Sequence, residues 1–180
     1  GGPVVTATLK NAMTTNMKRF VLTAIVTIAL ILLLLFRRVS GVLLPLLTVA
    51  LSVVSTVGLM GHLGIPIKLP TQILPSFLLA VGVGASVHLL AVFYRRLQHN
   101  ASPEHPRGDA RDAFAYATGH SGLAILMTSI TTAAGLASFA GSGVAPVSDL
   151  GYVASSGVMI SFVFVMFMTP VLVSVFPVYA

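Results

Sequence analysis

Apolar residues fall into five long runs, near residues 20–36, 42–61, 72–94, 122–141 and 152–176. Each run approaches the roughly 20 residues that an α-helix needs to cross the hydrocarbon core of a bilayer. The joints between the runs are polar or rich in glycine and proline, as in "HLGIPIKLP" and "GSGVAPVSDLG". The strict alternation of a transmembrane β-strand is absent. The pattern therefore predicts an all-α membrane protein, a bundle of five transmembrane helices. Residues 4–19 predict a short amphipathic helix that leads into the first span.

Composition supports a membrane protein independently of the pattern. Hydrophobic residues make up 56% of the 180 residues and charged residues only 8%, whereas soluble domains carry about 25% charged residues. The net charge of +6 does not indicate nucleic-acid binding, because the basic residues cluster at the ends of apolar runs without interleaved aromatic residues. The chain has no cysteine, which excludes disulfides, thiol catalysis and thiolate metal sites.

The positions of the basic residues predict an orientation in the membrane. Five spans place the joints after spans one and three on the same side. These joints contain the arginines Arg37, Arg38, Arg95, Arg96, Arg107 and Arg111. Cytoplasmic joints carry an excess of Lys and Arg, so we expect this side to be cytoplasmic and the protein to be a multi-pass protein of the inner (plasma) membrane. The N-terminal flank, with Lys10, Lys18 and Arg19, then lies outside against the same rule.

His88 is the clearest ionisable residue at depth in a predicted span. It lies six residues before Tyr94, about 9 Å along a helix, and all four acidic residues fall in joints. Ionisable groups inside a membrane are costly and often mark ion or proton pathways. His88 is therefore a candidate proton relay. The alternative is a neutral imidazole that is hydrogen-bonded to a hydroxyl of a neighbouring helix.

Hydroxyl and small residues on spans three and four supply candidate partners for His88. The hydroxyl candidates for a proton relay are Ser86, Thr128, Ser129, Thr131 and Thr132. Small residues let helix backbones approach closely, and we expect spans three and four to pack tightly through them. The helix-packing candidates are Gly82, Gly84, Ala85 and Gly135.

Enzymatic and metal-binding alternatives find weak support. The string "GHSG" at residues 119–122 is similar to the nucleophile site of rhomboid-type intramembrane proteases. The adjacent His120 would point about 100° away from Ser121 on a helix. The five histidines lack the spacing of metal ligands, and no phosphate-binding glycine loop is present. We expect neither an enzyme nor a bound metal or cofactor.

Several strings, in order, resemble the resistance-nodulation-division (RND) superfamily. "LLLLFRRVSGVLLPLLTVALSVVSTVGLMGHLGIPI" is similar to spans two and three of those exporters, and "ILPSFLLAVGVGASVHLLAVFYRR" to the next span. "TSITTAAGLASFAGSGVAPVSDLGYVASSGVMISFVFVMFMTPVL" resembles the last two spans of a half. The most similar branch is the MMPL and Patched-like group, whose five-span unit is also called the sterol-sensing domain.

The resemblance implies that the chain is spans two to six of one RND-type half. Residues 1–19 would be the tail of an outer domain and the lead-in helix, and residues 20–180 the five-span domain. It also implies efflux of lipids or other hydrophobic molecules, driven by the proton gradient. The implied partners are the membrane lipid or hydrophobic substrate and a second half of the same polypeptide, with a homo-oligomer as a further possibility.

One position departs from the family pattern. The family's relay aspartate in this span is replaced near Ala85, so its role cannot be transferred to this chain. Either His88 is the remaining ionisable group of this span, or proton coupling lies in the other half of the protein. Ala85 and His88 are three residues apart and share a helix face. The imidazole would therefore face the same interior seam between helices as residue 85. The departure leaves a second hypothesis open, a sterol-sensing-like, lipid-binding regulatory module without transport.

Overall fold

Five long helices form the structure, a computed structural model that describes residues 2–100 and 110–175, with side chains described over 15–100 and 110–173. The helices are α1 (Gly2–Phe36), α2 (Val39–His62), α3 (Leu74–Asn100), α4 (Ala110–Ala137) and α5 (Ala145–Val175). Short 3-10 helices, Pro70–Ile73 and Ser138–Gly141, precede α3 and follow α4. Each of the five long helices is long and apolar enough to cross a membrane. The predicted all-α, five-span bundle is confirmed.

The helices extend further than the apolar runs that marked them. α1 is continuous from Gly2 to Phe36, so the lead-in segment and the first span form one helix. α4 begins at Ala110, well before the predicted start near residue 122. Its polar first turns lie against the end of α3, where Asp112 accepts hydrogen bonds from Arg96 and Asn100. Hydropathy marks only the part of a helix that lies in lipid, and these polar contacts stabilise the part beyond it.

A tight turn connects α1 to α2. Arg37 adopts a left-handed backbone with a φ of 51°, and its amide donates to the carbonyl of Leu33 at 2.8 Å. The reversal presses Gly41 onto Phe36: a Cβ at Gly41 would lie 2.6 Å from the Phe36 Cβ. A side chain at residue 41 would therefore force the two helices apart.

The bundle has two electrostatically different ends. At one end the Tyr94 hydroxyl lies 3.2 Å from the Ser40 Oγ, and Arg38 lies over the Tyr94 ring at 5.9 Å. These contacts bring the α1–α2 turn and the end of α3 to the same side, as the chain order of the spans requires. At the other end Lys68 Nζ pairs with Asp149 Oδ2 at 2.6 Å. We call these the arginine end and the lysine end.

Close helix packing joins α5 to α2 and α3. A Cβ at Gly157 of α5 would lie 2.9 Å from Thr56 Cγ2 and 3.0 Å from Leu78 Cδ1. A Cβ at Gly82 of α3 would lie 2.5 Å from Ser161 Oγ and 2.9 Å from Val49 Cγ2. Glycine at these two positions lets three helices meet with their backbones close together.

Only some of the small residues that we expected to pack α3 closely against α4 lie at a close helix contact. A Cβ at Gly84 or at Gly135 would meet no atom within 4 Å, so neither glycine is a point of close helix approach, and that assignment was wrong. Gly82 does lie at a close contact, but its neighbours belong to α2 and α5. α3 and α4 pack instead where the large side chains Leu89, Phe93 and Ile125 meet the buried Ala117 in one cluster.

Cysteine labelling tests the two-ended arrangement. The chain has no native cysteine, so Gln98→Cys at the arginine end and Leu63→Cys at the lysine end each introduce a single reactive thiol. We expect a membrane-impermeant maleimide to label Leu63→Cys from outside intact cells and Gln98→Cys only in inverted vesicles. Thr27→Cys, exposed in the middle of α1, is the unlabelled control. Labelling of both end positions from one side would contradict the orientation.

Paired glycine substitutions test where the helices approach. Gly157→Leu places a large side chain against Thr56 and Leu78, and overpacking of this kind costs about 1–3 kcal/mol. Gly135→Leu meets open space and should change stability by less than about 0.5 kcal/mol. Thermal unfolding of the detergent-solubilised protein measures both. Equal losses would show that the close contact lies elsewhere.

Candidate functional site

His88 lies near the middle of α3 and faces away from the centre of the bundle. Its side chain is exposed, whereas its neighbours Leu89 and Leu90 are fully buried. The imidazole opens into a cavity of about 510 Å³ between α3 and α4. We call this cavity the His88 groove. It is lined by Ala80, Val81, Gly84, Ala85, His88, Ala124, Ile125, Thr128, Ser129 and Thr132.

Three of the predicted hydroxyl residues share the groove with His88. Thr128, Ser129 and Thr132 line it from α4. Thr132 lies one helical turn beyond Thr128 on the same face of that helix. The Thr128 hydroxyl lies within hydrogen-bond distance of its own helix's carbonyls, 3.0 Å from Ala124 O and 2.9 Å from Ile125 O. A hydroxyl that donates in this way keeps acceptor capacity on its oxygen. The groove thus presents hydroxyl oxygens to a proton donor such as an imidazolium.

Two other predicted relay residues lie outside the groove. Ser86 is two positions from His88 and therefore about 200° around the helix; it is fully buried, and its Oγ has no hydrogen-bond partner among the described residues. Thr131 is exposed on α4, with its hydroxyl 2.9 Å from the Met127 carbonyl and 3.0 Å from that of Thr128. The structure brings together His88, Thr128, Ser129 and Thr132 and separates Ser86 and Thr131 from them.

Gly84 and Ala85 form the α3 wall of the groove beside His88. A Cβ at Gly84 would meet nothing within 4 Å, and Ala85 has only a methyl group. The space next to the imidazole is therefore open because these two side chains are minimal. The sequence placed the family's missing aspartate near Ala85, and the structure shows that this part of the helix faces the groove.

Buried hydroxyls without partners form a second polar feature, which the sequence analysis largely missed. In the described part of the chain, four buried hydroxyl oxygens have no hydrogen-bond partner: those of Ser86, Ser121, Ser161 and Thr169. Buried polar groups normally have a partner, which is often an ordered water. The signal was present in the isolated hydroxyls of the apolar string "MISFVFVMFMTPVL", but hydropathy alone does not show which side of a helix is buried.

The "GHSG" string does not form a catalytic pair in the structure. Ser121 is buried, whereas His120 is exposed and stacks on Tyr116 with ring centroids 5.7 Å apart. The two side chains leave α4 on different sides, as their adjacent positions predicted.

A second cavity of about 510 Å³ lies between α1, α2 and α3. Its walls are almost wholly aliphatic, with Ser40 at one end: Ile25, Ser40, Leu43, Leu44, Leu46, Leu47, Ala50 and Leu79. Pockets of this size and polarity suit a hydrophobic ligand or part of a lipid.

The fold and the groove define a multi-pass membrane protein with a polar seam on one face of its helical bundle. Comparison with known proteins gives the family. The profile of the MMPL family matches residues 1–177, and the chain belongs to that family.

A relative supports membership of a membrane-protein family. The Methanocaldococcus jannaschii protein MJ1562, named only as a membrane protein, is 29% identical over 150 residues, which cover 83% of this chain and 37% of the relative. The chain therefore spans well under half the length of the relative that it matches. No solved structure matches the chain.

Proposed function

We propose that this chain is the transmembrane part of an exporter that moves lipids or other hydrophobic molecules across the plasma membrane and is driven by the proton gradient. Membership of the MMPL family supports the hydrophobic substrate class. The observation that carries proton coupling is the His88 groove, in which an ionisable ring and three hydroxyl residues face one another in the middle of two spans.

The orientation of His88 supports a covering partner. An imidazole exposed to acyl chains would lose its hydrogen bonds to water without replacement, which costs several kcal/mol in hydrocarbon. Ionisable residues in spans almost always face a bundle interior or a water-filled cavity. In the assembled transporter, therefore, a second half covers the α3–α4 face and turns the groove into an enclosed polar path.

The length of the relative favours a second copy as the source of that half. Since 150 aligned residues make up 37% of MJ1562, that protein is about 400 residues long. Two five-span units of 180 residues would leave almost no chain for two outer domains. A relative of this size accommodates one unit, so the covering half would come from a homo-oligomer.

In this proposal His88 carries the proton and the chain's hydroxyls guide it. An imidazole nitrogen can accept and pass on a proton, and the oxygens of Thr128, Ser129 and Thr132 can hold the ring or an intervening water. Protonation places a positive charge in a low-dielectric seam, which favours a conformation that opens the seam to water. The alternation between the two conformations is what couples the gradient to movement of the substrate.

A second candidate function is favoured by the apolar cavity between α1, α2 and α3. A bundle that holds a hydrophobic ligand there without moving it would be a sterol-sensing-like regulatory module. In that case ligand binding would not respond to a proton gradient.

Substitution of His88 tests the coupling. In proteoliposomes of the full-length protein, with a fluorescent phospholipid as the probe, we expect transport by the native protein to require an imposed pH gradient. His88→Ala should reduce the gradient-dependent rate to below about a tenth, because a positioned proton-transfer group contributes on the order of 100-fold or more. His62→Gln, at an exposed histidine at the lysine end, is the matched control and should retain the rate.

Amide variants separate titration from hydrogen bonding. His88→Gln and His88→Asn can replace a hydrogen bond but cannot take up a proton, so both should behave as His88→Ala. Substantial gradient-driven transport in either variant would remove His88 from the mechanism. Probe binding by the native protein without any gradient-dependent movement would favour the regulatory module.

A further inference from the structure

A basic pocket lies between α3 and α4 at the arginine end, beyond the His88 groove. Its volume is about 310 Å³, and it is lined by Val92, Arg95, Arg96, His99, Tyr116 and His120. No part of the proposed transport uses it. We call it the basic pocket.

The side chains of the basic pocket are held in place by stacking and pairing. The Arg96 guanidinium lies over the Tyr116 ring at 4.7 Å. The His120 ring also stacks on the Tyr116 ring, with an angle of 6° between the two ring planes. Arg96 Nε also lies 3.3 Å from Asp112 Oδ2, which accepts a second bond from Asn100 at 2.7 Å. A positioned guanidinium loses little freedom when it binds an anion.

The charge of the pocket favours an anion. Two arginines and two histidines line it, and Asp112 is the acid that contacts this cluster among the described residues. Within residues 15–100 and 110–173, two arginine charges thus meet one carboxylate, which leaves a net positive charge on this set even with both histidines neutral. Arginine pairs with phosphate through parallel hydrogen bonds, which makes a phosphate group the best-matched ligand chemistry.

The surroundings of the pocket favour a phosphate that is attached to a lipid. From Tyr116 and His120, the same side of α4 continues at spacings of three and four residues through Leu123, Met127 and Ile130. These three side chains are 64%, 52% and 44% exposed. A lipid whose headgroup occupied the pocket would lay an acyl chain along this apolar stripe, whereas a free phosphate would gain nothing from it.

We propose that the basic pocket binds the phosphate headgroup of an anionic membrane lipid. The pocket lies where the spans α3 and α4 leave the bilayer on the side predicted to be cytoplasmic, and basic pockets between spans at that level suit anionic headgroups. The site holds a lipid at the base of the α3–α4 seam, next to the surface on which the His88 groove opens. The proposal rests on the helical bundle and not on proton coupling.

Retention of lipid by the full-length protein tests the site. The protein is placed in nanodiscs of equal parts phosphatidylcholine and phosphatidylglycerol, and native mass spectrometry then counts the lipids retained after release. We expect selective retention of phosphatidylglycerol by the native protein. Arg95→Gln should weaken it about fivefold, since one basic residue near a membrane surface contributes about 1 kcal/mol. Arg95 is exposed, so this variant should have the same unfolding temperature as the native protein.

Three comparisons make the result decisive. Arg37→Gln removes an exposed arginine from the same end but outside the pocket and should retain phosphatidylglycerol fully. An equal loss in this control would show general surface attraction and overturn the site.

Arg95→Lys keeps the charge and should retain more lipid than Arg95→Gln. Glycerol 3-phosphate in excess should not displace the lipid, and complete displacement would show a site for soluble anions instead. Unchanged retention in Arg95→Gln would also overturn the proposal.

Discussion

The close approach of α5 to α2 and α3 is the contact on which the rest of the bundle depends. In a bilayer the lipid tails are as apolar as leucine, so helices associate through van der Waals packing and interhelical hydrogen bonds rather than through exclusion of water. Gly82 and Gly157 let the backbones meet, and Val49, Thr56 and Leu78 fill the space around them. With α5 held against both partners, α4 packs against α3 on one side and against α5 on the other.

The His88 groove opens between α3 and α4 on the outer side of the bundle. α3 and α4 meet through Phe93 and Ile125 near the arginine end, while minimal side chains at Gly84 and Ala85 leave the space open at the level of His88. The consequence is a polar seam on the outer face of the bundle, formed by an ionisable ring and hydroxyl groups. A bundle with such a seam is suited to assembly with a second half, and the same assembly would exclude lipid from the ionisable ring.

The two ends of the bundle differ in the charged side chains that they carry. The lysine end is closed by the ion pair of Lys68 and Asp149, in which the opposite charges largely cancel. Among the described residues, the basic pocket at the arginine end holds two arginines against one contacting carboxylate, and Arg96 stacks on Tyr116. The proposed lipid site at the arginine end would therefore give the two leaflets different contacts with the bundle.

The sequence by itself determined the five membrane helices, the family and the excess of arginine in the joints of one side, and it selected His88 with a wider set of hydroxyl residues as candidates. Each of these follows from hydropathy, from helical spacing or from ordered strings, which are properties of single segments and their order. The tertiary structure alone decided that His88 faces outward, that Ser86 is buried away from it, and that Gly82 and Gly157 rather than Gly84 and Gly135 are the points of close packing. The physical reason is that a helical repeat shows which residues share a face, whereas the neighbour of that face depends on how all five helices pack at once.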